Sequence, residues 1–127
     1  PYTTLFRSEI PDAAWDLIDC ADKPTTLILD GAYNMSSKVI ADDGSVGIRI
    51  CKQEFCSKLI RKLNKPLVST SANVSGEPSA LSFHEISDTI KSGVDYIVDL
   101  PQFYESTGKA SSIIKLDKSS TITIIRN

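Results

Sequence analysis

The chain has 127 residues, which is the length of about one domain, and 41% of its residues are hydrophobic and 24% charged. This composition is ordinary for a soluble globular protein. No apolar run approaches the roughly 18 residues that a membrane-spanning helix needs, and the formal net charge of −2 excludes a general basic field for nucleic acid. The only local basic stretch is SKLIRKLNK, residues 57–65. A solvated helix face is the favoured explanation for it, and RNA contact is the alternative.

Cysteine usage indicates a reducing compartment. Cys20, Cys51 and Cys56 are an odd number of cysteines, no C-x-x-C pair exists, and His84 is the only histidine. Their spacing gives no reason to expect a zinc site. We therefore expect buried, reduced thiols, no bound metal and a cytoplasmic protein.

The first eight residues, PYTTLFRS, match the translation of a common sequencing-library adapter. We expect residues 1–8 to be an artefact and exclude them from the prediction of the fold. We also expect native sequence upstream of Glu9 to be missing, so that residues 9–127 are the C-terminal portion of a single domain.

The next part of the chain alternates helical and strand patterns. Pro11 and Asp12 open a stretch with apolar residues at helical spacing, and Pro24 and Gly31 bound an apolar, strand-forming run. The predicted elements are a helix at 11–21, a strand at 25–30, a strand at 45–51 and a helix at 53–63, with a connecting segment at 31–44.

Strand patterns dominate the end of the chain. A strand is predicted at Leu67–Thr70, and Ser82 with Glu85 forms an S-x-x-E capping box for a helix at 83–92 that ends at Gly93. Further strands are predicted at 95–100, 112–116 and 121–126, the last two forming a hairpin, and 102–111 reads as a polar loop. The pattern as a whole predicts an α/β fold with a mixed sheet.

Small polar side chains cluster where the strand at Leu67–Thr70 gives way to a loop. The segment is KPLVSTSANVSGEPS, residues 65–79. Serine and asparagine side chains hydrogen-bond their own backbone in turns, so turn chemistry alone would explain the cluster. The alternative is a site for a ligand that is rich in donors and acceptors.

The same segment resembles the signature of the YrdC-like family, the threonylcarbamoyl-AMP synthases. Three further blocks resemble that family in the same order: KPTTLILD, GSVGIRI and ASSIIKL, the last followed by IIRN. Ala110 and Ser112 depart from the proline and threonine of the family pattern. The resemblance covers residues 9–127 and implies a twisted mixed sheet with flanking helices. It also implies a fold incomplete at the N-terminus, because the family's K-x-R and S-x-x-N motifs would precede residue 9.

The resemblance implies a nucleotidyltransferase that joins L-threonine, bicarbonate and ATP into threonylcarbamoyl-AMP and releases pyrophosphate. The product would serve tRNA modification through a separate threonylcarbamoyl transferase complex, and tRNA or double-stranded RNA is a further expected partner. ATP is the substrate, with magnesium on its triphosphate. We expect residues 9–127 alone to be inactive.

Family roles fall on eight positions of this sequence. The resemblance implies ATP contacts for Thr26, Ser71, Asn73, Ser79 and Arg126, and places Ser69, Ser111 and Arg49 near the threonine subsite and cleft. Neutral hydroxyls and amides suit phosphate and adenylate oxygens, and arginine suits phosphate or carboxylate. No residue is identified as a catalytic nucleophile, because this chemistry needs positioning and charge stabilisation more than covalent catalysis.

Three alternatives remain at this stage. Thr26 also fits an ordinary strand threonine, and Arg126 also fits an exposed terminal charge. The chain as a whole also fits a non-catalytic YrdC-type domain that binds nucleotide or double-stranded RNA.

Overall fold

The computed structural model describes residues 10–101 and 110–127. Residues 1–8, which were attributed to an adapter, and most of the polar loop predicted at 102–111 lie outside the described residues. The chain divides into two compact units, one containing Pro1–Val68 with Ser111–Asn127 and the other Ser69–Ala110.

A four-stranded mixed sheet forms the first unit and confirms the predicted fold class. The strands are β1 Thr25–Leu29, β2 Val46–Arg49, β3 Ser112–Leu116 and β4 Ile122–Arg126, in the order β2-β1-β3-β4. β1 pairs with β3 in parallel, while β1–β2 and β3–β4 are antiparallel. The parallel pair joins residues 87 positions apart in the chain, such as Thr25 and Ser112, which brings two of the sequence blocks side by side.

Helix α1, Asp12–Asp19, covers one face of this sheet and confirms the helix predicted at 11–21. Ala14 of α1 is fully buried and packs in one cluster with Leu27, Leu29 and Leu116 of the strands. Because side chains alternate across a strand, Thr26 and Ile28 of β1 project from the opposite face. The core therefore occupies one side of the sheet and leaves polar residues on the other.

Helix α2, Glu54–Leu63, confirms the helix predicted at 53–63. It begins at Gln53, whose side chain accepts a hydrogen bond from the Cys56 N–H at 2.8 Å, and it ends at Asn64, which has a left-handed φ of 51°. The segment between β1 and β2 contains a short 3-10 turn, Ser37–Val39. Among the described residues no helix has the length and apolar character needed to cross a bilayer.

Two predicted strands are wrong. Leu67–Thr70 and 95–100 contain no strand, and side chains in both stretches are exposed, with Val68 at 82% and Tyr96 at 81%. Both stretches have strand-forming composition. A strand forms only where a neighbour pairs with its backbone, however, and the described residues supply no such neighbour to either stretch.

The helix predicted at 83–92 is interrupted. A 3-10 turn, Phe83–Glu85, is followed by Ile86 and Ser87 in extended conformation, and helix α3, Asp88–Ser92, then begins. The predicted capping box is also wrong, because the Ser82 side chain makes no capping bond and Glu85 Oε2 instead accepts from the Leu81 N–H at 3.0 Å. Gly93 ends α3 as predicted, although with a negative φ of −87°.

The β3–β4 turn is organised by one carboxylate. Asp117 Oδ1 accepts hydrogen bonds from the Ser119 hydroxyl at 2.7 Å, the Thr121 N–H at 2.8 Å and the Ser119 N–H at 2.9 Å. The Ser119 hydroxyl, followed by the Thr121 N–H, holds the pKa of Asp117 below its ordinary value. The turn therefore depends on Asp117 being ionised.

Replacing Asp117 with asparagine should lower the free energy of unfolding at neutral pH. The variant should also lose less of that free energy than the unchanged chain as the pH falls. A carboxyl whose pKa is lower in the folded state contributes fully above its unfolded value, near 3.8, and this contribution is lost as pH falls through the folded value. The measurement is the urea midpoint of chain and variant between about pH 6 and pH 2. Asp22→Asn is the matched control, because Asp22 is exposed and makes no side-chain bond within residues 10–101 and 110–127. If the urea midpoints of the chain and the Asp117 variant fell by the same amount between about pH 6 and pH 2, the prediction would be contradicted.

Candidate functional site

Two hydroxyls meet at one end of the parallel strand pair. Thr26 on β1 and Ser111, which immediately precedes β3, have their oxygens 3.0 Å apart in a half-buried position. Only one of the two hydroxyl protons is used in this contact. The other proton and the remaining lone pairs are available to a polar ligand.

Arg126 holds the backbone beside this hydroxyl pair. The pairing of Ile113 with Arg126 places the guanidinium next to the start of β3, where Nε and Nη2 both donate to the Ser111 carbonyl, at 3.0 and 2.8 Å. An arginine has five N–H donors, so three remain after this fork. The planar fork suits phosphate or carboxylate oxygens, and Arg126 therefore combines positioning of Ser111 with capacity for an anion.

Arg49 lies on the strand at the other side of Thr26. The two residues are direct partners in the antiparallel β1–β2 register, and they share the sheet face opposite α1. Arg49 is exposed and makes no hydrogen bond or ion pair with any described residue. The sheet thus presents the two hydroxyls with an arginine on each side.

A third cation on this face is already neutralised. Lys115 on β3 donates to Asp43 Oδ2 at 3.0 Å and lies 3.8 Å from Asp30 Oδ1. The bond to Asp43 raises the pKa of Lys115, and hydrogen bonds from Ser45 and then Lys115 hold the pKa of Asp43 well below its usual range. The sequence analysis missed this pair, because no local pattern links two residues 72 positions apart.

Gly47 leaves the surface beside Thr26 open. A Cβ at position 47 would lie 3.4 Å from Thr26 Cγ2, in ordinary van der Waals contact. A side chain longer than alanine would extend from there across the face that carries the two hydroxyls. This gives a physical reason for the second glycine of the GSVGIRI block, which the sequence analysis used only as part of a motif.

In the second unit, Asn73 organises the turn of the SANVSGEPS segment. Its Nδ2 donates to the carbonyls of Val74 and Glu77, both at 2.9 Å. Gly76 supplies a φ of +87°, which side chains disfavour, and allows the chain to turn back. Asn73 Oδ1 is buried and has no hydrogen-bond partner in the described part of the chain. An unsatisfied buried acceptor favours a ligand donor at this position.

The same unit contains a hollow of about 170 Å³ whose lining combines small and acidic residues. Asn73 and Ser79, two of the sequence-predicted residues, line it together with Glu77, Glu85 and Ser87. The hollow therefore contains hydroxyl, amide and carboxylate oxygens. Glu85 and Ser87 were not predicted as site residues, because their approach to Asn73 and Ser79 depends on the fold of the segment.

Two of the predicted site residues in the second unit do not line the hollow with Asn73 and Ser79. Ser69 and Ser71 are exposed, and neither lines the hollow. In the first unit, by contrast, Thr26, Ser111 and Arg126 are joined by direct hydrogen bonds, with Arg49 on the adjacent strand. No cluster of three histidine, cysteine or acidic side chains that would hold a metal occurs within the ranges that the structure describes.

Comparison with known proteins places the chain in a family. A family model described as telomere recombination, which includes the YrdC-like proteins, matches residues 2–127. The chain is 34% identical over 89 residues to the threonylcarbamoyl-AMP synthase of Idiomarina loihiensis, covering 70% of this chain and 45% of that protein. It is 35% identical over 102 residues to the putative threonylcarbamoyl-AMP synthase of Methanocaldococcus jannaschii, and this match covers 80% of this chain and 45% of that protein. The chain therefore belongs to the YrdC-like family, as its motifs predicted.

The match to the synthase of Dichelobacter nodosus, 32% identical over 96 residues, covers 75% of this chain and 47% of that protein. The chain thus spans about half the length of the curated relatives it matches. No solved structure matches the chain.

Proposed function

We propose that the protein containing this chain, called the parent protein below, is a threonylcarbamoyl-AMP synthase. It joins L-threonine, bicarbonate and ATP, and it releases pyrophosphate. The observation that carries the proposal is the cluster of Thr26, Ser111 and Arg126, with Arg49 one strand away. Four separated sequence blocks supply these residues, and the fold of the first unit brings them to one sheet face. The relatives' names support the reaction assigned to the family.

The cluster suits adenylate recognition. The Thr26 hydroxyl would donate a hydrogen bond to the nucleotide or accept one from it. The three unused N–H donors of Arg126 would bind the phosphate oxygens of the nucleotide. Arg49 would balance the charge of phosphate or of the threonine carboxylate. These contacts position reactants and stabilise negative charge, and the reaction requires no protein nucleophile.

The polar segment 69–79 of the second unit would also bind ATP. Asn73 and Ser79 offer amide and hydroxyl groups to ATP, and Asn73 Oδ1 lacks a partner that a ligand N–H or hydroxyl would supply. Ser69 and Ser71 are exposed and accessible to substrate. Neutral groups of this kind contribute about 1 kcal/mol each, which binds ATP without preventing product release.

Magnesium would arrive with ATP. It would neutralise the triphosphate and favour departure of pyrophosphate. The carboxylates of Glu77 and Glu85 are oxygen ligands of the kind that magnesium accepts, and both side chains line the hollow. With two carboxylates there, the triphosphate itself would complete the coordination.

The product would pass in the cytoplasm to a threonylcarbamoyl transferase complex that modifies tRNA. Helix α2 presents exposed basic residues, Lys58, Arg61 and Lys62, although Lys58 is paired with Glu54. These side chains would supply a weak, salt-sensitive contact with RNA.

The test is threonine-dependent pyrophosphate release by the purified parent protein. We expect release only when threonine, bicarbonate and ATP are all present, with threonylcarbamoyl-AMP detected by mass spectrometry. Residues 9–127 alone should not exceed the background without enzyme, because about half of the relatives' length is absent from the chain. If the parent protein released pyrophosphate equally well without threonine and bicarbonate, the assignment would be refuted.

A further inference from the structure

Two thiols occupy the junction between β2 and α2. Cys51 follows β2 by two residues, and Cys56 is the third residue of α2. Both are free and half-buried, whereas Cys20 is exposed at the end of α1. The proposed synthase reaction uses none of these cysteines.

Two hydrogen bonds fold the junction back onto the first turn of α2. The Cys56 N–H donates to Gln53 Oε1 at 2.8 Å, and the Ser57 hydroxyl donates to the Cys51 carbonyl at 2.7 Å. The second bond ties the backbone of residue 51 to the helix turn that carries Cys56. The two cysteines are therefore held together by the fold as well as by their separation of five positions.

The side chains of Cys51, Cys56 and Arg49 interact. Burial raises the pKa of the Cys56 thiol, the charge and hydrogen bonding of Cys51 raise it further, and the Arg49 guanidinium opposes the rise. Interactions of this kind require proximity. The Cys56 thiol thus lies beside that of Cys51, and the charge of Arg49 is near enough to act on it.

We propose that Cys51 and Cys56 are a dithiol modification site that closes to an intramolecular disulfide on reaction with a small-molecule disulfide. One thiolate attacks a sulfur of the small disulfide, forming a mixed disulfide and releasing one small thiol. The second protein thiolate then attacks the protein sulfur of that bond and releases the second small thiol. In the net reaction two protein thiols are oxidised, one small disulfide is reduced, and two protons pass to the two departing thiolates.

The bond would constrain the segment that carries Arg49. A disulfide holds its two Cα atoms about 4.4–6.8 Å apart, so closure would fix residue 51 against the first turn of α2. Arg49 precedes Cys51 by two residues on the same segment, and its freedom to meet an anion would depend on the redox state. This consequence for ATP rests on the proposed function, whereas closure of the disulfide does not.

Trypsin gives a direct readout, because Lys52 separates the two cysteines. Cleavage after Arg49, Lys52 and Lys58 places Cys51 in the peptide ICK and Cys56 in QEFCSK. The parent protein would be incubated with oxidised glutathione, natively or in urea, alkylated and digested. We expect ICK cross-linked to QEFCSK in the native sample, and about tenfold less of this product relative to glutathione adducts in urea. The peptide that contains Cys20 should carry glutathione only.

Single variants complete the test. Cys51→Ser should leave glutathione on QEFCSK, and Cys56→Ser should leave it on ICK, with no cross-link in either case. Glutathione adducts on both peptides of the native wild type, or equal cross-linking in urea, would overturn the dithiol site. Pyrophosphate release by the reduced protein tests the proposed function separately, so the two proposals fail independently.

Discussion

Replacing Arg126 with alanine should weaken ATP binding by the parent protein about 10- to 150-fold. Hydrogen bonds to a charged group contribute about 1.5–3 kcal/mol, and about 1.4 kcal/mol is a tenfold change in affinity. The variant also removes the fork on the Ser111 carbonyl, whose bonds are 3.0 and 2.8 Å long. Loss of the fork frees the start of β3 and thereby the hydroxyl that contacts Thr26. Isothermal titration with ATP would measure the change.

Two variants separate the charge of Arg126 from its geometry. Arg126→Lys retains the cation but cannot form the planar fork, so its affinity should lie between those of wild type and alanine. Arg61→Ala removes the same charge from an exposed residue whose side chain makes no bond in the described ranges, and it should leave ATP affinity unchanged. Equal losses of ATP affinity in the Arg61→Ala and Arg126→Ala variants would mean that net charge alone is responsible. That result would contradict a direct contact between Arg126 and ATP.

The first unit was largely predictable, because its elements carry local signals. Helical spacing, the proline at position 11 and the alternation around Ile48 led to α1, α2 and β2 within a few residues. The strand order and the hydrogen bond between Thr26 and Ser111 were not predictable. They depend on a parallel pairing between distant segments, and periodicity carries no information about a strand's partner.

The second unit shows where local composition misleads. The stretches at Leu67–Thr70 and 95–100 have the β-branched and aromatic residues of strands, yet neither finds a partner among the described residues. At Asn73 the sequence left turn chemistry and ligand binding as alternatives. The structure contains both features in one side chain, because Nδ2 closes the turn while Oδ1 remains buried and unpaired.

Replacing Asn73 with aspartate should abolish most ATP binding by the parent protein. Aspartate has nearly the shape of asparagine, but a carboxylate oxygen would replace Nδ2 and face the carbonyls of Val74 and Glu77 at 2.9 Å. Two hydrogen bonds would become repulsive contacts, and a third carboxylate would join Glu77 and Glu85 in the hollow. If loss of the two turn bonds, at about 1 kcal/mol each, weakens the ATP-binding conformation by the same amount, affinity falls about 30-fold, and the added repulsion should deepen the decrease.

A matched series isolates the cause of this loss. Asn73→Ala removes the two hydrogen bonds without adding charge, so its affinity should fall less than that of the aspartate variant. Asn34→Asp makes the same chemical change at an exposed residue that has a left-handed φ of 58° and no side-chain bond in the described residues, and it should bind ATP normally. Titration with ATP and thermal melts would be compared across the three variants. If both Asn73 variants bound ATP as tightly as wild type, Asn73 would be a turn residue alone. If aspartate and alanine weakened binding equally, the turn would matter and the added charge would not.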